Sequence, residues 1–562
     1  MGNCSTSCFT SSNYDQEIQD LPISSVFRFP NPTPAWPTGN GFGSGIIDLE
    51  GLQVSQITSF RKIWATYEGG ADNLGATFFE PSSVPDGFVM LGCYSQPNNR
   101  PLSGWVLVGK DENSRNPPEK GALVRPTDYT LVWSSESMQI RQDGYGYIWL
   151  PVPPNGYVAV GYIVTTSKVK PSLDKIRCVR SDLTDESELH DWIWGQDTEI
   201  SEDGFNVYGL RPRIRGTKAQ GVCVGTFIIQ NNTTSSSSSL ACLKNNNFTT
   251  LSSAPNIENV KALLQIYSPK VYLHPDEKYL PCSVNWFFEN GALLYKEGDE
   301  SSPVRIEPNG SDLPQGGSND DEYWLDLPID HAAKERVKKG DLQSSEAYIH
   351  IKPMLGATFT DLAIWIFYSF NGPTTAKLGL VDVPLGRIGE HVGDWEHLTL
   401  RISNFSGVLD RVFFSQHSGG TWIDSSLLEY DNGTNKPVAY SSLNGHALYY
   451  KPGLVLQGNE LVGIRNDTSK SDKVMDVGEK YSIVSDDIRD EVVQPAWLNY
   501  NRKWGPKITY QLGKEIEKIQ EKLPGELKTL FKSLVNLIPS EVFEEEGPTG
   551  SNMKDNWRGD EV

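Results

Sequence analysis

The sequence predicts a mainly β protein: an N-terminal prism-like module of β-repeats followed by a C-terminal β-sandwich with short helices. Three observations carry this. Gly 51 and Pro 35 are scattered between short runs rich in Val, Ile, Tyr and Trp, the pattern of strands closed by turns. A turn-and-strand phrase recurs within the first half, and the second half shows period-2 alternation around residue 394. At 562 residues the chain exceeds what one hydrophobic core organises, and 10% aromatic content excludes a mainly disordered protein.

In the first half, Pro85-Asp86-Gly87-Phe88-Val89-Met90-Leu91-Gly92 aligns with Pro154-Asn155-Gly156-Tyr157-Val158-Ala159-Val160-Gly161. Each copy reads as a turn with positive φ at Gly and then a strand, with a second strand following (Trp105 to Val108; Ile176 to Val179). Such units cannot bury a face alone, so they are expected to pack about a shared axis. Residues 22–229 form this module. A Ser/Asn-rich linker, 230–255, containing five consecutive serines (Ser235 to Ser239), separates it from a sandwich over 256–505. Over 506–562, Ile508, Leu512, Ile516, Ile519 and Leu523, then Leu527, Leu530, Phe531, Leu534 and Leu537, predict two amphipathic helices before a terminal segment.

A net charge of −21 repels phosphate backbones, and no basic run with interleaved aromatics offsets it, so nucleic acid is excluded as a partner. Seven dispersed cysteines do not make a disulfide framework and fit a reducing compartment. The most apolar stretch, Leu362 to Phe370, is about half a bilayer span. Residues 1–21 read as an acylated flexible N-terminus: Met1-Gly2-Asn3-Cys4-Ser5-Thr6 satisfies the myristoylation pattern at Gly2, with Cys4 and Cys8 as palmitoyl acceptors for the second anchor that stable attachment needs. This places the protein peripherally on the cytoplasmic face of the plasma membrane or an endomembrane.

The second half holds seven of the eight histidines. In Glu390-His391-Val392-Gly393-Asp394-Trp395-Glu396-His397, alternation puts Asp394, Glu396, Leu398 and Leu400 on one face and Trp395, His397 and Thr399 on the other. Two carboxylates sharing a face with leucines need compensation. A hard divalent cation (Mg²⁺, Ca²⁺ or Mn²⁺) held by Asp394, Glu396 and the imidazole of His391 would supply it, and so would a salt-bridged polar cluster.

Three resemblances follow from quoted residues. Ile148 to Gly161 resembles the adaptor-binding repeats of bridge-like lipid-transfer sorting proteins. His391-Val392-Gly393-Asp394-Trp395-Glu396 is similar to the signature of the necrosis- and ethylene-inducing-like proteins, which implies a sandwich with a divalent cation at His391, Asp394 and Glu396 and, as its remaining acidic ligand, Asp382. Glu390, Val392 and Gly393 stand where that signature has glycine, arginine and a second histidine. Over residues 22–562 the chain resembles plant proteins related to vacuolar protein sorting-associated protein 62. That match rests on Tyr267 to Pro281, Gly393 to His397, Pro437 to Tyr440, Asn444-Gly445-His446 and Lys554 to Glu561.

These readings favour a membrane-tethered cytosolic adaptor in vacuolar sorting or trafficking. It would have no catalytic or cofactor-binding residues beyond the cation site, and its partner would be a trafficking protein, a lipid or a glycan. Two alternatives stay open. One is a metal-dependent hydrolase using Glu277, His417 or His446; the other is a cation-dependent membrane-lesion protein.

Overall fold

The computed structural model describes residues 21–39, 41–111, 121–195, 205–231, 240–417, 419–484, 492–507, 511–537 and 548–561. It is mainly β, as the sequence predicts. Gly2, Cys4 and Cys8 lie outside the described residues, as do Ser235 to Ser239.

The N-terminal module is a prism of three repeats, each made of two small antiparallel sheets. The first pairs the sheet of Ile46–Asp48, Leu52–Ile57, Val106–Asp111 and Val89–Met90 with that of Phe60–Ala65, Ala76–Pro81 and Tyr94–Pro97. The second repeat runs from Leu123–Val124 to Cys178–Arg180, the third from Thr184–Asp185 to Cys242–Lys244. The two turns expected at Gly87 and Gly156 form, with φ of 82° and 83°. The phrase has a third copy, Lys218 to Gly225, in which Gln220 replaces the turn glycine and Gly221 the aromatic. The three copies meet at the axis: Cys93 N donates to the Tyr162 carbonyl at 2.9 Å, and Thr226 Oγ1 to the Val160 carbonyl at 2.8 Å. Glycine is required where they touch, since a Cβ on Gly161 would stand 2.7 Å from Gly92 Cα.

In the C-terminal half the principal sheet is built from β1 (Ala347–Met354), β2 (Phe359–Asn371), β3 (His391–Ser403), β4 (Leu409–Gln416), β5 (Gly419–Asp424) and β6 (Tyr481–Ile483), in the order β5-β4-β3-β2-β1-β6. Only β1 and β6 pair in parallel. One face of this sheet presents Ile364, Ile366, Leu398 and Leu400, and a second sheet of Lys270–Leu273, Val438–Ser441, Leu448–Tyr449 and Val474–Asp476 closes over it. The opposite face presents Trp365, Phe367 and Trp395 to a second core with Trp497 and Trp504. The helices Leu512–Lys522 and Gly525–Leu537 pack Ile519, Phe531 and Leu534 onto a smaller sheet through Ala376, Leu378 and Val462.

The two halves share a buried boundary. Residues 240–244 of the Ser/Asn-rich stretch are woven into the prism, where Cys242–Lys244 pairs with Thr184–Asp185 and Gly221–Val222. Phe405 of the sandwich enters a prism core with Leu107 and Val160. Trp105 donates to Asp410 at 2.8 Å while its ring rests on Phe359, 5.1 Å between centroids.

Candidate functional site

The alternation read at Asp394 holds in three dimensions. Asp394 and Glu396 point from β3 into one end of the space between the sandwich sheets, beside Tyr368, and both are buried at 8% and 7% exposure. Gly393 precedes them with φ 68°, and a Cβ there would lie 2.4 Å from the Trp504 carbonyl. No side chain, histidine included, fits at that position.

Three distant segments complete the cluster. The loop after Val438–Ser441 swings His446 inward with φ 55°; its ring stacks on Tyr368 at 3.8 Å and is fully buried. His446 Nδ1 donates to Asp394 Oδ2 at 2.8 Å and Nε2 to the Tyr279 carbonyl at 3.1 Å. Both nitrogens face oxygens that only accept, so both carry protons and the ring is an imidazolium. Burial opposes that charge, but the bond to Asp394 and the Glu277 carboxylate, 3.9 Å from Nε2, outweigh it and lift the pKa to about 10. Glu277 is locked by backbone: Oε1 accepts from Lys278 N and Tyr279 N, each at 2.8 Å, and Oε2 from Asn444 N at 2.6 Å.

The two carboxyls of β3 are driven apart. Burial alone would raise Asp394, yet its bond to the charged His446 holds it below the usual carboxylate range. Burial and the adjacent Asp394 charge push Glu396 up to about 8, so at neutral pH it is largely protonated; its carboxyl oxygen is bonded to the Ser415 hydroxyl. Burial keeps His391 neutral, and its Nδ1, 3.0 Å from the Gly393 carbonyl, holds the proton there and leaves the Nε2 lone pair.

The expected cation set is therefore brought together only in part. Among the described residues no three His, Cys, Asp or Glu side chains stand in a metal-holding cluster. Asp382, half exposed on the strand Val381–Pro384, pairs instead with Arg465 at 2.6 Å. His391, Asp394 and Glu396 fit a hard cation chemically: a neutral imidazole with a free lone pair, one carboxylate, and one carboxyl kept protonated by burial and the Asp394 charge. Of the candidate hydrolase residues, His446 bonds Asp394 and has Glu277 3.9 Å from its other ring nitrogen, whereas His417 Nε2 sits 3.1 Å from Asn466 Oδ1. His417 and Asn444 line, with Thr374, Thr375, Arg465 and Asp467, a cavity of about 30 Å³, roomy enough for a water. Sequence reasoning missed the bond of Ser415 to Glu396 and the backbone cradle of Glu277, because both join segments apart in the chain.

Comparison with known proteins adds the lineage. Among solved structures the chain is similar to GNIP1Aa from Chromobacterium piscinae, with 18% identity over 39% of this chain and 40% of that one and a TM-score of 0.28. The similarity thus spans about 40% of the length of that protein. Necrosis and Ethylene inducing Protein 2 from the causal agent of cocoa's witches' broom disease is 13% identical over 34% of this chain and 67% of that one, with a TM-score of 0.19. NLPPya, solved in complex with glucosamine, is 11% identical over 42% and 75%, with a TM-score of 0.20. No curated protein sequence matches the chain. The family model described as Vacuolar protein sorting-associated protein 62 matches residues 23–561, nearly the full length, and the chain belongs to that family.

Proposed function

We propose that the protein is a peripheral membrane adaptor in vacuolar sorting, held on the cytoplasmic face by acyl chains at Gly2, Cys4 and Cys8, with a divalent-cation site at His391, Asp394 and Glu396. Family membership supports the sorting role. One observation supports the cation site: Asp394 and Glu396 are buried side by side on one face of β3, and burial with the Asp394 charge pushes the Glu396 carboxyl up to about 8. An ion at this position ionises Glu396 and weakens the hold of Asp394 on the His446 proton, so binding releases protons and strengthens with pH. Mg²⁺, Ca²⁺ and Mn²⁺ suit the donors, and the partner is a trafficking protein, a lipid or a glycan.

The hydrolase reading draws on one fact, the Asp394–His446 bond. Against it, both nitrogens of His446 are committed and the ring is fully buried, so it has neither a free lone pair nor access to a substrate.

Membrane fractionation of wild type, Gly2→Ala and the Cys4/Cys8 double serine variant tests the anchor. Gly2→Ala should move to the soluble fraction and the cysteine variant should bind weakly, because one acyl chain is marginal. Gly2→Ala that stays as membrane-bound as wild type would refute it.

A further inference from the structure

The odd positions of β3 face away from the acidic cluster, toward residues 548–561. Within that segment, residues 554–561 add no strand to the described sheets and dock by side chains and charge. The Lys352 ammonium, fully buried, is ringed by the Asn556 carbonyl at 2.9 Å, the Gly559 carbonyl at 3.4 Å and Glu561 Oε1 at 2.9 Å. Thr399 donates to the same carboxylate at 2.8 Å, and His397 Nε2 lies 3.1 Å from its other oxygen. Arg401 is gripped at both ends by Asp361, at 2.8 Å each, and also reaches Asp560 Oδ1 at 2.6 Å. Trp557, 5% exposed, stacks on His350 at 3.8 Å and 8°.

We propose that this face is a recognition site for acidic peptides, and that residues 554–561 are its intramolecular ligand, exchangeable with a peptide carrying an indole followed by two adjacent carboxylates. The receptor groups sit on β1, β2 and β3, whose ladder is complete without the segment. Buried cations left without anions are strongly destabilising, so the site trades one acidic occupant for another rather than standing empty. The direction of the carboxylate pKa agrees: burial would raise Glu561, but Lys352 and His397 hold it well below the carboxylate range. Occupancy also reaches the prism, because Arg215 Nε donates to Asp560 Oδ2 at 2.8 Å and Thr217 N to the Arg558 carbonyl at 2.9 Å. An incoming peptide therefore acts on the junction between the two modules.

The test keeps the whole chain. A protease site introduced between residues 538 and 547 is cut after folding, and a fluorescent peptide of residues 549–562 is added in excess. The labelled peptide should displace the nicked segment and bind saturably, more weakly at high salt. A peptide carrying Asp560→Asn and Glu561→Gln should bind about thirtyfold more weakly or worse. Failure of the nicked chain to exchange its segment, or equal binding of the two peptides, would overturn the proposal. Amide exchange on the uncut chain is an independent arm: residues 554–561 should open well before β1 to β3, and opening together with those strands would make the segment core rather than ligand.

Discussion

The two faces of β3 handle buried charge in opposite ways. On the even face, Asp394 and Glu396 sit with Leu398 and Leu400 in a nearly negative-only environment, and one imidazolium, His446, stands against them. On the odd face, Arg401, the neighbouring Lys352 and Arg215 from the prism meet three carboxylates, Asp361, Asp560 and Glu561. The difference follows from what can titrate. Arginine and lysine keep their charge when buried, so their face needs fixed anions. Carboxyls can take up a proton instead, and Glu396 does. The odd face is thus held by fixed charges, and the even face is a poised one whose protonation pH can shift.

The largest effect should come from breaking the fixed face. Lys352→Met leaves Glu561, 1% exposed at the side chain, without its ammonium and should cost about 3–5 kcal/mol in denaturant unfolding. Adding Glu561→Met should recover part of that loss in a double-mutant cycle; strict additivity of the two changes would contradict the pairing.

His446→Gln should cost less, about 2–3 kcal/mol at pH 8, because the facing carboxyls can protonate in response. The sign follows from the raised pKa. His446 contributes stability fully below its unfolded value near 6.5, and the contribution fades as pH rises through about 10. The variant should therefore lose its disadvantage progressively as pH rises from about 6.5 to about 10, which thermal unfolding across pH 6 to 10 would read out.

Glu396→Gln gives the smallest and most specific change. A carboxyl raised to about 8 stabilises the fold fully below its unfolded pKa near 4.3 and loses that contribution as pH rises through 8. Glutamine cannot ionise, so the melting temperature of the variant should decline less than wild type between pH 5 and 8. Parallel declines would mean that Glu396 is not protonated in the fold.

Much of this organisation was legible in the chain and some was not, for physical reasons. Period 2 suffices to place Asp394, Glu396, Leu398 and Leu400 on one face, because a strand leaves no other arrangement. The partners of that face are invisible to any local pattern, since His446 lies 52 and Asn444 lies 167 positions from the groups they bond. Asp382 is expected among the ligands by resemblance, and in the structure it pairs with Arg465. The third prism repeat escaped notice because Gln220 and Gly221 erase the turn glycine and aromatic that mark the other two, while the axial Gly225 remains. The Lys554 to Glu561 phrase drew attention as a family mark, and its charges acquire meaning only against Lys352 and Arg401, about two hundred and one hundred and sixty positions away.

The most direct test of the poised face is calorimetric titration of Ca²⁺, Mg²⁺ and Mn²⁺ into chelator-treated wild type and Asp394→Asn, at pH 6 and pH 8 in buffers of differing ionisation heat. Wild type should bind one of these ions more tightly at pH 8 than at pH 6 with release of protons, and Asp394→Asn should bind it at neither pH. Absence of binding by wild type at both pH values, with chelator leaving its melting temperature unchanged, would contradict the cation site and leave the cluster as a structural network around His446.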